Sequence, residues 1–327
     1  MAQSHVPQAM CSPEWTPARQ EIDSAKQIQR AMQFIKFQGF GNDYLVFEAE
    51  GLARVGSIND FARNVCDRHY GAGADGITVV RRSEDEDSDF TVRIFNADGS
   101  EAGLSGNGTR CTVAYLYYRG LWSKDELRLR TRTGVKLYRL RESLSDGHYW
   151  FEAELGKPGF SSASIPMLTG EPRERVINYA INVEDKTLRV TALSVGNPNC
   201  IIFVEDFNEL DWRSAGSALE RHEQFPERTN VVFVRVEDEN NIEVRLWERG
   251  VGETFSSGTC SCAAAVASCI NDRTGRRVNV HTQGGLIEVL WREDDEIVMT
   301  GRADVVYSGE WIGKAEYRSQ NTESRRG

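Results

Sequence analysis

Two short motifs repeat the same small polar residues at matching positions. The tetrapeptide ending at Asn96 is followed nine positions later by Ser105-Gly106, and the tetrapeptide ending at Glu248 is followed nine positions later by Ser257-Gly258. An apolar segment comes after each Ser-Gly pair, so each pair is predicted to start a helix. The repetition predicts one site shared by two similar halves, and the acids Glu101 and Glu253 also recur at equal offsets.

A helix start can bind an anion, because its first backbone N–H groups are unpaired and lie at the positive end of the helix dipole. The small residues at 105–108 and 257–259 would let a ligand approach the backbone. A carboxylate between two such starts would be held strongly. A single motif of this kind is more often a serine cap with glycine for packing, but two matched copies favour a ligand site.

A second set of polar residues lies beside turns or beside the repeated motifs, and it is predicted to form ligand-binding loops. Asparagines are often only turn residues, and adjacent Glu and Arg can form a surface pair. Glu248, however, is equivalent to Asn96 in the repeat, which favours a role in the site. The set consists of Asn42, Asn96, Asn107, Asn197, Asn230, Glu248 and Arg249.

The elements that must position these residues are strands and two apolar helices. The strand-like run 33–48 is interrupted by a turn at 39–43, which predicts Asn42 on a loop. A short helix is predicted over 59–69 with Asp60 as its cap, and strands are predicted over 77–80 and 90–95.

The helices predicted at 107–118 and 260–270 are apolar on every face and must therefore be buried on all sides. Each is surrounded by β-rich sequence. The pattern predicts an α+β fold in which a sheet curls around a central helix, built twice.

The repeat extends beyond the two motifs at nearly constant spacing. Gly41 and Gly196 lie 155 positions apart, Ser105 and Ser257 lie 152 apart, and Gly134 and Gly285 lie 151 apart. We therefore predict a first half over 32–149, completed by 303–327, and a second half over 150–302. Residues 1–31 lack apolar periodicity and are predicted to be a disordered extension.

The composition favours a small-molecule ligand. The chain has 327 residues, a net charge of −10 and scattered basic residues, which argues against nucleic acid and anionic membranes as partners. Without a secretory signal or a long apolar run, the cytoplasm is predicted. The seven cysteines show neither disulfide nor zinc spacing, and the histidines lack metal spacing.

No cofactor motif is indicated. Gly71-Ala72-Gly73-Ala74-Asp75-Gly76 matches GxGxxG, but a helix precedes it and a strand follows, which is the wrong order for a dinucleotide fold. Phosphate-loop and pyridoxal-lysine signals are also missing from the motifs. We therefore expect neither a cofactor nor a metal.

With these residues collected, residues 32–309 closely resemble the diaminopimelate epimerases, which are cofactor-independent amino-acid epimerases. The resemblance rests on Gly39-Phe40-Gly41-Asn42-Asp43, Asn96-Ala97-Asp98-Gly99-Ser100-Glu101, Gly106-Asn107-Gly108-Thr109-Arg110-Cys111, Gly196-Asn197-Pro198, Phe225-Pro226-Glu227-Arg228, Asn230, and Glu248-Arg249-Gly250-Val251-Gly252-Glu253-Thr254.

The resemblance implies two pseudo-symmetric domains with the substrate in the cleft between them, and a homodimer as the assembly. One cysteine thiolate would remove the α-hydrogen of diaminopimelate and a second thiol would return one to the opposite face. The helix starts would hold the α-carboxylate. The positions implied to bind substrate are Asn42, Asn96, Gly106, Asn107, Asn197, Asn230, Glu248, Arg249, Gly258 and Thr259.

The sequence departs from this family at the two bases. Both catalytic positions are serine, Ser105 and Ser257, and a hydroxyl is a much weaker acid than a thiol. Asn199 stands where the family commonly has histidine, so Asn199 and Glu248 are the positions expected to tune the bases. Cys260, just inside the second helix, is expected to be a buried small residue.

Three interpretations follow from the paired serines, and the sequence leaves them open. The serines could be an introduced pair that traps an inactive, substrate-bound form, although this does not explain Asn199. The chain could be a divergent homologue that binds an amino acid without turnover. It could also catalyse another isomerisation or a dehydration, using hydroxyls or Cys260. The epimerase with impaired bases is the leading hypothesis.

Overall fold

The computed structural model describes residues 31–183 and 186–312. The prediction of a disordered extension falls on residues outside this range, apart from Ala31. Within the described ranges no helix is both long and apolar enough to cross a bilayer.

The strands of the described residues form one 17-stranded mixed sheet. The first nine are β1 Met32–Gly39, β2 Asn42–Glu48, β3 Gly76–Arg82, β4 Phe90–Asn96, β5 Glu101–Ala102, β6 Glu126–Thr131, β7 Gly134–Ser145, β8 His148–Gly156 and β9 Val176–Val183. The others are β10 Lys186–Ser194, β11 Pro198–Phe203, β12 Asn230–Val236, β13 Asn241–Glu248, β14 Gly252–Thr254, β15 Arg277–Thr282, β16 Gly285–Trp291 and β17 Ile297–Trp311.

Four α-helices and one 3-10 turn accompany the sheet in the described part of the chain. The helices are α1 Ile58–Val65, α2 Gly106–Tyr118, α3 Trp212–Glu220 and α4 Gly258–Ile270, and the 3-10 turn is Ala49–Leu52. Both α2 and α4 are buried along almost their whole length. Helix α2 packs on β1, β2 and β17, while α4 packs on β12, β15 and β16. The predicted α+β fold, with a mixed sheet around a buried helix in each half, is confirmed.

The same order of strand pairs occurs twice. Strands β2 and β3 are parallel, as are β11 and β12, and the parallel pair β4–β6 corresponds to β13–β15. Along the chain, helix α2 follows β5 and precedes β6, and α4 follows β14 and precedes β15. The repeated sequence motifs therefore occupy equivalent places in two similar arrangements.

Strand β17 joins the two repeated parts of the sheet. Its first residues pair with β16, residues 297–304 pair with β8, and residues 304–311 pair with β1. The predicted division between residues 149 and 150 falls inside β8, and the domain limits stay a prediction.

Two local predictions were wrong in detail. The first helix covers Ile58–Val65 rather than 59–69, and its cap is Ser57, whose Oγ accepts a hydrogen bond from the Asp60 N–H at 3.3 Å. Asn42 is the first residue of β2 and pairs with Gly39. The turn before it needs only Phe40 and Gly41, both with positive φ (54° and 86°).

Candidate active site

The starts of α2 and α4 meet at their glycines. Ser105 and Ser257 are the N-cap residues of the two helices, with extended backbones. A Cβ atom added to Gly106 would lie 3.7 Å from the Cα of Gly258. The fold therefore brings the two predicted anion-binding helix starts into one place.

Ser105 is held by two neighbours. Its Oγ accepts a hydrogen bond from the Gly108 N–H at 3.1 Å, so the side chain caps its own helix. The same oxygen lies 2.9 Å from the Tyr44 hydroxyl. Sequence reasoning missed Tyr44, because in the apolar run of β2 it looks like one more core residue.

Ser257 is held differently, although it occupies the equivalent position. It does not cap α4; instead its hydroxyl donates a hydrogen bond to Oε2 of Glu248 at 2.9 Å. The other oxygen of Glu248 accepts a hydrogen bond from Thr254 at 2.7 Å. Burial raises the pKa of Glu248 above its ordinary value, against the two hydroxyl hydrogen bonds that lower it. One serine therefore faces a phenol and the other a carboxylate.

A chain of amides connects the loops of the second half. Asn197 donates to Oγ1 of Thr259 at 3.2 Å, and Asn199 donates to Oδ1 of Asn197 at 3.1 Å. Asn230 in turn donates to Oδ1 of Asn199 at 3.2 Å and accepts from the Arg249 N–H at 2.9 Å. Asn199 is fully buried on β11, and it links Asn197, just before β11, to Asn230 at the start of β12.

In the first half, Asn107 donates to Oδ1 of Asn42 at 3.3 Å, and Asn42 donates to Asp75 at 2.6 Å. Asn96 is exposed at the end of β4 and donates to Ser100 of its own turn at 2.9 Å. Its hydrogen bond therefore does not connect it to the other predicted residues.

The side chain of Arg249 is exposed and donates to the Glu227 carbonyl at 3.2 Å. Like Asn96, it lies at the end of a strand, just after β13. The roles of Asn96 and Arg249 in binding stay predictions.

Buried charges position Asn42. Asp43 forms ion pairs with Lys36 at 2.7 Å and with Arg68 at 2.9 Å, and it accepts the Asp75 N–H at 2.8 Å. Burial alone would raise the pKa of Asp43, but the bonds from Arg68 and Lys36 hold it below its ordinary value. This network fixes the start of β2.

Arg110 places a positive charge behind the two helix starts. Its side chain is fully buried, and Nη1 lies 3.7 Å from a Cβ added to Gly106 and 3.8 Å from one added to Gly258. It donates to the Arg302 carbonyl at 3.3 Å and to the side chain of Asn107. Among the residues that the structure describes, no carboxylate forms an ion pair with it. Sequence reasoning gave Arg110 no role.

Several other candidates prove to be structural. Glu101 pairs with Arg93 at 2.9 Å and Glu253 pairs with Arg213 at 2.7 Å, so the repeated acids form ion pairs beside the site. Cys260 is fully buried, and burial raises the pKa of its thiol well above the ordinary value. Cys260 is therefore no source of a thiolate at neutral pH.

Solved structures with a similar fold place this arrangement in a known class. The chain matches a hydroxyproline epimerase from Agrobacterium vitis at a TM-score of 0.64 and 15% identity, over 86% of this chain and 91% of that one. It also matches a PhzF-family phenazine biosynthesis protein from Bacillus anthracis at a TM-score of 0.60 and 18% identity, over 86% and 99%. The duplicated sheet with its facing helix starts is thus a fold that this chain shares with these proteins.

Closer relatives identify the family. The family model described as diaminopimelate epimerase matches residues 34–156 and 191–306. A diaminopimelate epimerase from Caldanaerobacter subterraneus subsp. tengcongensis is 41% identical over 281 residues, covering 85% of this chain and 99% of the relative. One from Pelotomaculum thermopropionicum is 39% identical, covering 86% and 99%. This chain belongs to the diaminopimelate epimerase family and is an isomerase, as its sequence motifs predicted.

Proposed function

We propose that this protein interconverts LL- and meso-2,6-diaminopimelate, a reaction of lysine and peptidoglycan biosynthesis, in the cleft at the two helix starts. The α-carboxylate of the substrate would accept hydrogen bonds from the first N–H groups of α2 and α4. The observation that carries the proposal is the buried charge of Arg110 next to both Gly106 and Gly258, with no carboxylate partner among the described residues. An anionic group bound there would supply its counter-charge.

The two serines would act on opposite faces of the α-carbon. Ser257 takes the α-hydrogen as a proton on Oγ while its own proton passes to Glu248, and the electron pair of the C–H bond stays on the substrate. The negative charge spreads onto the α-carboxylate, and the N–H groups of the helix starts that hold this carboxylate stabilise it. Ser105 then donates its proton to the other face, which inverts the centre.

This chemistry is expected to be slow with serine. The hydroxyl proton is much harder to remove than that of a thiol, whose pKa is about 8.5. Glu248 lies where it can accept the Ser257 proton, but Ser105 faces Tyr44 rather than a carboxylate or histidine. We therefore infer an impaired epimerase that binds its substrate with the loops of Asn42, Asn96, Asn107, Asn197, Asn230 and Arg249.

The test is exchange of the α-hydrogen in heavy water with meso-diaminopimelate. The double variant Ser105→Cys, Ser257→Cys is expected to exchange about 100-fold faster or more than the native chain. Ser256→Cys is the matched control, since it adds a thiol beside Ser257 at a buried position that is not a base. If neither the native chain nor the double variant binds or exchanges diaminopimelate, the proposal is wrong.

A second candidate is an amino-acid-binding protein without turnover. It is favoured by Ser105, whose Oγ caps its helix as an ordinary structural serine does. Calorimetry discriminates the two functions. Tight binding of diaminopimelate, together with no exchange by either the native chain or the double cysteine variant, would favour the binding protein.

We also propose a homodimer in the cytoplasm. The cysteines of the described residues are free thiols, which suits a reducing compartment. Apolar side chains at the end of β17 and just beyond it are exposed, namely Val306, Tyr307 and Ile312, and a partner subunit would cover such residues. Sedimentation velocity should give twice the mass of one chain, and a monomer at all concentrations would contradict this assembly.

A further inference from the structure

Tyr44 is a buried polar residue that the mechanism above does not use. It lies on β2 with 4% of its surface exposed, and its hydroxyl is 2.9 Å from Oγ of Ser105. The equivalent contact in the other half is the one between Ser257 and Glu248, which is a carboxylate. The two halves thus present different groups to equivalent serines.

Two glycines leave the space that the ring of Tyr44 occupies. Gly76 pairs with Tyr44 in the parallel ladder of β2 and β3, and a Cβ atom there would lie 2.7 Å from Cε1 of the ring. On the opposite element, a Cβ atom at Gly108 of α2 would lie 3.1 Å from Cε1 and 3.2 Å from Cζ. Any side chain at either position would press on the ring, so the glycines allow the phenol to reach Ser105.

The direction of the hydrogen bond depends on the charge of Ser105. While Ser105 is neutral, either hydroxyl can donate to the other. Once Ser105 has lost its proton, Oγ can only accept, and Tyr44 must donate. The Gly108 N–H already donates to the same oxygen at 3.1 Å. Two fixed donors then converge on one oxygen, which is the geometry that stabilises oxyanions in enzymes.

The surroundings keep Tyr44 protonated and therefore able to donate. Burial raises the pKa of its phenol, and the charges of Asp75 and Glu248 add to the shift. A phenol of ordinary pKa would already be a donor at neutral pH, and this one stays a donor at higher pH.

We propose that Tyr44 is a positioning residue that stabilises negative charge on Ser105. The proposal rests on the proposed epimerase function. When Ser105 gives its proton to the substrate carbanion, its O–H bond breaks, a C–H bond forms, and the electron pair is left on Oγ, toward which the more acidic Tyr44 hydroxyl shifts its proton while the Gly108 N–H also donates. Water then returns a proton to Ser105. The two faces of the substrate therefore meet different groups: Glu248 accepts a proton from Ser257 on one face, and Tyr44 donates a hydrogen bond to Ser105 on the other.

A thiol at position 105 can report this effect without turnover. In Ser105→Cys, the pH dependence of iodoacetamide alkylation at position 105, followed by peptide mass spectrometry, gives the pKa of the new thiol. Adding Tyr44→Phe removes one donor and keeps the ring. We expect the thiol pKa to rise by about one unit, which slows alkylation about tenfold at pH values below that pKa.

The matched control is Tyr115→Phe in the same Ser105→Cys chain. Tyr115 is also a buried tyrosine and lies on α2, and its hydroxyl donates to Glu48 at 2.6 Å rather than to Ser105. Its removal should leave the thiol pKa unchanged. A pKa that does not respond to Tyr44→Phe, or that rises equally with Tyr115→Phe, overturns the proposal.

Exchange by the native chain separates this inference from the proposed function. Tyr44→Phe should lower the rate of α-hydrogen exchange about 100-fold at saturating diaminopimelate, with little change in KM, and Tyr115→Phe should stay within about twofold. Absence of α-hydrogen exchange by both the native chain and the double cysteine variant would refute the epimerase reaction, while the thiol pKa would still decide whether Tyr44 stabilises charge at position 105.

Discussion

Ser105 and Ser257 show that equivalent residues of a duplicated fold can differ in chemistry. Both occupy the N-cap position of buried helices of the same length, yet the Ser105 hydroxyl accepts from a backbone N–H and the Ser257 hydroxyl donates to a carboxylate. The difference comes from neighbours on β2 and β13, which are Tyr44 and Glu248. Asymmetric neighbours suit a site that must remove a proton on one face and add one on the other.

Replacing Glu248 with Gln tests the base on the Ser257 face. The amide has nearly the same shape and can still accept the Ser257 hydrogen bond, but it cannot take up the proton. We expect α-hydrogen exchange to fall by about 100-fold or more. Glu253→Gln is the control, because it breaks an ion pair with Arg213 and leaves the site intact. Equal rates for the native chain and Glu248→Gln would exclude Glu248 as the proton acceptor.

The raised pKa of Glu248 also predicts how stability depends on pH. A carboxyl whose pKa is higher in the folded state binds its proton more tightly there, so it contributes stability at low pH that is lost as pH rises through the folded value. The native chain should therefore lose stability relative to Glu248→Gln as pH increases above about 4.3, the ordinary pKa of a glutamate. Urea unfolding at a series of pH values measures this, and parallel curves would contradict it.

At the scale of the elements, the hairpin of β1 and β2 matters most, because it carries Phe40, Asn42 and Tyr44. Its geometry depends on Asp43, which binds Lys36 on β1 and Arg68 beyond α1. The side chains of Lys36 and Asp43 are only 11% and 13% exposed. The hairpin is therefore fixed by charges that water screens weakly.

Asp43→Asn should destabilise the fold and weaken substrate binding. It leaves Lys36 buried without its carboxylate, which costs about 3–5 kcal/mol in the free energy of unfolding. Because the pKa of Asp43 is lowered in the fold, the stability difference from the native chain should shrink as pH falls through that value. Glu84→Gln breaks an ion pair whose glutamate side chain is 83% exposed, so it should cost less than about 1 kcal/mol. Similar losses for both variants would refute the argument.

The helix starts and the α+β class could be predicted from the sequence, because serine, glycine and all-round apolar segments are local signals. The cap of α1 was assigned wrongly, since Ser57 and Asp60 are both good caps and the choice depends on the backbone. Tyr44 and Arg110 were missed for a different reason. Their importance comes from partners on other elements, such as Ser105 and Arg302, and no local pattern records those contacts.

At the scale of the whole molecule, the two halves touch closely at the turn between β1 and β2. A Cβ atom at Gly284 would lie 2.1 Å from the carbonyl oxygen of Phe40 and 3.1 Å from the Cβ of Ser256. Ser256 precedes the second base, and Phe40 precedes Asn42 by two residues. This contact therefore ties the first-half loop to the second-half helix start.

Gly284→Ala should move the turn and loosen the site. The methyl group cannot fit against the Phe40 carbonyl, and we expect a loss of about 1–3 kcal/mol in stability, with weaker binding of diaminopimelate measured by calorimetry. Gly51→Ala is the control, because nothing lies within 4 Å of its added Cβ. A Gly284→Ala chain with native stability and affinity would show that this contact does not set the cleft.

Strand β17 also has a consequence for synthesis on the ribosome. Met32 of β1 pairs with Trp311 of β17, 279 positions later in the chain. At roughly 5–20 residues per second, one edge of β1 stays unpaired for about 15–55 seconds until β17 has been synthesised. The nascent first half therefore carries an open, aggregation-prone strand edge for most of translation, and β17, the last strand in the described part of the chain, is the one that protects it.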